Sequence, residues 1–203
     1  AQAFPRGAVP QFSFSGRYLV FKVKPFYTQI REARIKKKKP EEFPKDSLVI
    51  VEVGKGEVKR IPMVKSFKMP AEEDGLLVVH QESVEKSTEA NETPAPLVSV
   101  NLNLGTETTI QRVTEYEVAQ KGGNVIAEQA RNQKDSLAKT LLLLINATTK
   151  QHDTIATGGN DFRSFTFSED GTRLAFLAER DARPKELIKY YKLFLFRAMD
   201  DTA

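Results

Sequence analysis

The 203-residue chain has no cysteine. That rules out disulfides, thiolate metal sites and cysteine nucleophiles, and says little about compartment. Its only histidines are His80 and His152, and neither has a second histidine at ligand spacing, so the sequence offers no histidine-based metal site. No apolar run approaches the roughly 18 residues of a membrane-spanning helix. None of the eleven glycines is followed two positions later by serine, so no G-x-S-x-G nucleophile elbow is present. The phosphate-cradling patterns G-x-x-x-x-G-K-[ST] and G-x-G-x-x-G are missing as well, which leaves Gly54-Lys-Gly56 as a hairpin turn. Acids are plentiful, but no pair stands out by spacing as a glycosidase dyad. The charge is close to balanced, 31 basic against 27 acidic residues for a net +4, which is mild for a dedicated nucleic-acid binder. No catalytic, cofactor-binding or metal-ligating residue can be named from this inventory, and the chain is expected to perform no covalent chemistry itself.

What the sequence does have is repetition. The stretch Phe165–Asp181, FTFSEDGTRLAFLAERD, alternates apolar and polar residues on both sides of Asp170-Gly171, the pattern of a half-buried antiparallel hairpin. FSFSGRYLVFKV, Phe12 to Val23, repeats it. With Gly16 set on Gly171, Leu19 and Phe21 fall on Leu174 and Phe176. Phe12-Ser-Phe14-Ser15 then falls on Phe165-Thr-Phe167-Ser168, after a two-residue shortening before the glycine. Weaker copies centre on Asp74-Gly75 and Lys121-Gly122, so the glycines at 16, 75, 122 and 171 follow one another at 59, 47 and 49 residues. A second set of apolar runs interleaves with the first: Leu48–Val53, Leu97–Leu102, Leu141–Ile145 and Leu193–Phe196. The first three lead through turn residues into polar, β-branched segments. Two hairpins, hence four strands, per unit of roughly 40–50 residues indicate an all-β chain built of β-propeller blades. A β-sandwich with accidental self-similarity is the alternative.

The expected organisation is a lead-in over 1–11, then blades over about 12–65, 66–113, 114–158 and 159–203, the last incomplete: about three and a half units in all. Residues 26–46 read as an insertion in the first blade. Its basic cluster, Arg31, Arg34 and Lys36–Lys39, is followed by Pro40, Glu41, Glu42 and Asp46. It reads as a solvated loop or short helix, since no aromatic-rich strand flanks the lysines as a stacking platform for nucleic acid would. Ser83–Pro96 reads as a mobile loop, Arg131–Lys139 as a charged connector, and Ala182–Tyr190 as a second insertion. His152, beside Asp153, reads as a surface residue. Asn91-Glu-Thr93 and Asn146-Ala-Thr148 match the glycosylation pattern, which arises easily by chance. A chain that starts at Ala1 without a secretory signal fits a processed N-terminus, and a trimmed piece of a longer sequence would look the same. The unfinished fourth unit is read as the edge of a fragment of a longer protein.

The F-x-F-S-x-D-G-x-x-L-A-F pattern resembles the blade motif of propellers fused to α/β-hydrolase domains. IKKKKPEEFPKDSL, Ile35 to Leu48, followed by LVIVEVGKGEVKRIPMVKSFK, is similar to the N-terminal region of secreted bacterial prolyl oligopeptidase-family, dipeptidyl-peptidase-like serine peptidases. The resemblance implies a propeller that screens peptide substrates for a C-terminal hydrolase domain with a Ser-Asp-His triad, in a periplasmic or secreted protein. The residue inventory, charge and hydropathy lead to the expectation of no cofactor, no nucleic-acid partner and no membrane span. The hydrolase domain is absent from this chain, so no triad residue carries over, and it would be the missing partner domain or a companion chain. Dipeptidyl-peptidase-type members also grip the substrate's amine with a glutamate pair. Glu41-Glu42 and Glu72-Glu73 are the pairs available here, both in expected loops without the family's aromatic context, and both stay unassigned. A non-catalytic periplasmic or extracellular propeller, acting as a protein-binding platform, is the alternative function.

Overall fold

Two β-hairpins per repeat, each closed by a turn, arrange themselves as stacked four-stranded sheets. The structure, a computed structural model, describes residues 3–83, 94–132, 135, 137–159, 161–181 and 190–197. The first sheet holds β1 (Gly7–Phe12), β2 (Tyr18–Val23), β3 (Ser47–Glu52) and β4 (Gly56–Ile61), with helix α1 (Tyr27–Ile35) between β2 and β3. Then follow β5 (Val64–Lys68), β6 (Leu76–Gln81), β7 (Ala95–Asn101), β8 (Thr106–Val118), β9 (Asn124–Gln129), β10 (Leu141–Asn146) and β11 (Gln151–Thr157), hydrogen-bonded as one seven-stranded sheet. This is two blades that share a strand: β8 pairs with β7 through residues 106–113 and with β9 through 113–118. The fourth blade shows β12 (Asp161–Phe167), β13 (Arg173–Glu179) and β14 (Lys192–Arg197). Every pairing is antiparallel. The ring is not closed: this is an incomplete β-propeller, as the repeat predicts.

Three apolar layers lie between successive blades, where a sandwich would have one. Val20, Leu48 and Ile50 of the first blade meet Leu77 and Val79 of the second. Val78 and Leu97 of the second meet Val125 and Ala127 of the third. Ile126, Leu142 and Leu144 of the third meet Phe162, Leu174 and Phe176 of the fourth. Because successive strand residues point to opposite faces, a central strand must be apolar on both. β3 and β10 are, which is why Leu48–Val51 and Leu141–Ile145 read as unbroken apolar runs. The face of the first blade turned away from the second is also covered: Phe21, Val23, Val49 and Val51 are buried, and Phe4 packs on them with its ring 4.9 Å from that of Phe21.

The start of the first blade corrects the sequence reading. Gly16 N–H donates to Ser13 O and Ser13 N–H to Tyr18 O, just as Gly171 N–H donates to Ser168 O and Ser168 N–H to Arg173 O. These equivalent turns place Ser13 on Ser168 without any shortening, so Phe12 matches Phe167 and Phe14 sits in the turn, 63% exposed. The strand therefore lies upstream, and all of β1 but Phe12 falls inside the segment 1–11 expected to be a lead-in. Pro5, Gly7 and Pro10 hid it, because β1 is an edge strand, where proline is tolerated and little is buried.

The insertion is a solvated helix. α1 buries only Ala33, Arg31, Arg34 and Lys36–Lys39 are exposed, and Glu41 and Glu42 lie in a 3-10 helix over Pro40–Glu42. Most of the expected loop at 83–96 and of the insertion at 182–190 lies outside the described residues, although Ala95 and Pro96 already belong to β7.

Candidate functional site

Each blade's first strand carries a bulge. The register slips between Ala8 and Gln11, between Val64 and Ser66, between Val113 and Tyr116, and between Arg163 and Thr166. Non-glycine residues with positive φ stand at or beside the four slips: Val9 at 52°, Met63 at 57°, Arg112 at 58° and Ser164 at 57°. A bulge leaves backbone groups without ladder partners. At three seams a side chain of the preceding blade reaches a backbone group at or next to the bulge. Lys22 Nζ donates to Lys65 O, His80 Nε2 donates to Val113 O at 3.0 Å, and Glu128 Oε1 accepts from Phe162 N–H at 3.3 Å. Facing a carbonyl, His80 must hold its proton on Nε2. The three side chains occupy one structural position, since Lys22 pairs with Leu48, His80 with Leu97 and Glu128 with Leu142. These polar latches were invisible in the sequence because lysine, histidine and glutamate share no pattern. They stand six, five and six residues after Gly16, Gly75 and Gly122, which is not a constant spacing.

Glu128 is 8% exposed and also accepts a 2.6 Å bond from Thr114 Oγ1. Burial pushes its carboxyl up from the usual range, with Asp161 and Glu115 adding repulsion and the Thr114 and Phe162 bonds opposing. The folded chain therefore binds the Glu128 proton more tightly than the unfolded chain does. Stability then falls as pH rises from about 4.5 through the raised value, and does not recover above it. Glu128→Gln keeps an acceptor for Phe162 N–H and removes the charge. Urea midpoints measured from pH 4 to 8 are expected to fall less steeply in the variant, which becomes the more stable protein at neutral pH. Parallel profiles would refute the assignment.

Two clefts open where the second and third blades meet. One, of about 360 Å³, is lined by Glu72, Glu73, Gly122, Asn146, Thr148 and Thr149. Glu72 pairs with Lys121 at 2.8 Å. Glu73 Oε1 accepts from Thr148 Oγ1 at 3.4 Å, while its Oε2 is buried without a hydrogen bond. The other cleft, of about 240 Å³, includes Gln11, Phe67, Lys68, Met69 and Glu117 in its lining, and the Lys68–Glu117 pair bridges the two inner strands at 2.7 Å. Beneath that pair Ser66 bonds the Tyr116 hydroxyl at 3.1 Å, and burial pushes the phenol up to about 12. The second cleft sets the apolar Phe67, Met69 and Val118 beside a compensated ion pair, whereas the first is lined by polar side chains and a glycine.

The other residues singled out from the sequence take structural places. His80 is sealed at 2% exposure, whereas His152 is exposed on β11. Glu42 Oε2 accepts from Lys39 N–H, and Glu41 beside it faces solvent, so this pair belongs to the insertion. Asn146 uses its side chain in the β10–β11 turn, accepting from the N–H groups of Thr148 and Thr149 and donating to Gly122 O and Asn124 Oδ1. Asn101 makes the same turn in the second blade. Asn91 lies outside the described residues. Among the described residues no three His, Asp or Glu side chains cluster as metal ligands would, and no helix is long and apolar enough to cross a membrane.

No protein-family model matches the chain. No curated protein sequence matches it either. Solved structures do, at the level of fold. The β-propeller domain of the Trilobed protease from Pyrococcus furiosus, described as having an open velcro topology, superposes with a TM-score of 0.56 at 8% identity over 94% of this chain. Acylaminoacyl peptidase from Pyrococcus horikoshii gives 0.53 at 10% identity over 96%. The chain spans 54% of the first and 31% of the second. The class is therefore that of propeller domains, and peptidase propellers are among its structural neighbours.

Proposed function

We propose that this chain is the propeller part of a secreted or periplasmic serine peptidase of the prolyl oligopeptidase type. It screens and positions peptides for an α/β-hydrolase domain carried elsewhere in the protein. The observation that carries the reading is the conjunction of an incomplete propeller like those of peptidases with the blade motif FTFSEDGTRLAF and the lysine-rich insertion before β3. The inner strands and the clefts between the second and third blades form the wall along which an extended peptide passes. Acyl transfer through an activated serine takes place outside these residues.

Residues 1–203 alone are expected to leave dipeptidyl and prolyl reporter substrates intact. The protein from the complete coding sequence is expected to cleave short peptides and to spare folded proteins. A fluorophosphonate followed by peptide mapping should mark one serine outside residues 1–203. Labelling within them, or none at all, would overturn the peptidase reading and leave a protein-binding platform.

A further inference from the structure

The third strand of every blade presents two residues to the blade that follows. In the first blade these are Leu48 and Ile50, opposite Lys22 and Val20. In the second they are Leu97 and Ser99, opposite His80 and Val78. In the third they are Leu142 and Leu144, opposite Glu128 and Ile126. The same register in the fourth blade gives Leu193 and Leu195, opposite Leu177 and Ala175. Leu48, Leu97 and Leu142 are no more than 2% exposed, whereas Leu193 and Leu195 are 73% and 75% exposed. Their neighbours on β14, Phe194 and Phe196, point the other way and pack against the third blade's seam.

We infer that the outward face of β13 and β14 is a stacking seam, and that its occupant is a further four-stranded antiparallel blade. Such a sheet would present apolar residues where the second blade presents Leu77 and Val79 and the fourth presents Leu174 and Phe176. The continuity is one of register: one position is leucine in all four blades, and the three copies followed by a blade are buried by it. A second copy stacked head to tail does not fit, because the first blade's outward face is already covered, with Phe4 on it. The seam also differs from the others in kind. Leu177 stands where Lys22, His80 and Glu128 reach across, so the fifth blade is held by apolar contact without a polar latch. None of this rests on the peptidase reading.

Hydrogen exchange of β14 tests it, comparing residues 1–203 with the protein from the complete coding sequence. Amides of 193–195 are expected to gain protection by about tenfold or more in the longer protein, as burial under a blade requires. Leu193→Lys with Leu195→Glu should leave the urea midpoint of residues 1–203 unchanged and abolish its binding of a hydrophobic dye. The same pair should lower the midpoint of the longer protein. Unchanged protection of β14, or a midpoint indifferent to the pair in the longer protein, overturns the inference. So does a stable dimer of the longer protein, seen by ultracentrifugation, that the pair dissolves, because the occupant is then a second copy. Failure of fluorophosphonate labelling leaves these outcomes untouched.

Discussion

Truncating Phe162 to alanine is expected to destabilise the chain by about 3–5 kcal/mol, as removal of a fully enclosed aromatic ring does. Phe162 is 0% exposed, lies in the seam between the third and fourth blades, and faces Phe176 at 6.2 Å between ring centroids. The cavity would open beside the Glu128 latch, which holds the Phe162 backbone in place and limits how far the site can collapse. Phe14→Ala serves as the control: in a turn and 63% exposed, it should shift stability by about 0.5 kcal/mol or less. Urea denaturation of both variants gives the comparison. Equal effects would mean that the seam is not packed as described.

The second large effect is expected at a glycine. Gly171 has φ of 71°, and a Cβ added there would lie 2.4 Å from Lys121 O and 3.4 Å from Ala119 Cβ, both in the preceding blade. Asn124 Nδ2 donates to Gly171 O at 3.2 Å, so the two turns are bound together. A side chain must adopt left-handed backbone, at about 1–2 kcal/mol, and also push a backbone carbonyl aside, which overpacking studies put at about 1–3 kcal/mol more. Gly171→Ala should therefore cost about 2–5 kcal/mol. Gly16 has the same backbone, φ of 72°, with nothing within 4 Å of an added Cβ, so Gly16→Ala should cost only about 1–2 kcal/mol. Thermal or urea melts of the pair decide the matter, and matching losses would show that backbone conformation alone sets the glycine.

The contrast between those two glycines marks how far the sequence could be read. Both stand in the same motif and both make the same turn, so the hairpin was legible from the glycine and the alternation after it. What differs is the neighbouring blade, about fifty residues away along the chain, and a single sequence carries no sign of that contact. The first strand failed for the opposite reason. Phe12 and Phe14 alternate like a strand, yet Phe14 belongs to the turn and the strand runs back through Pro10 to Gly7. An edge strand with one face in water has little apolar pattern to show. The unbroken runs at β3 and β10 were read correctly because double burial writes itself into composition. The latches escaped because a backbone group at a bulge can be met by any suitable donor or acceptor. The wall of the two clefts was out of reach as well: Lys68 and Glu117 meet only after two blades have stacked.

β8 has a mechanical meaning beyond its place in the sheets. Thirteen residues run as one strand, bulged near its middle, from the outer edge of the second blade to the inner edge of the third, bonded to β7 on one length and to β9 on the other. The first and second blades are instead joined across a break at Pro62-Met63, and the third and fourth across Gly158-Gly159. Pulled from its ends, the chain should come apart at those two joints and yield three pieces. The middle piece would be a double blade that can part only by shearing a strand along its own length, so it would set the toughness of the whole stack.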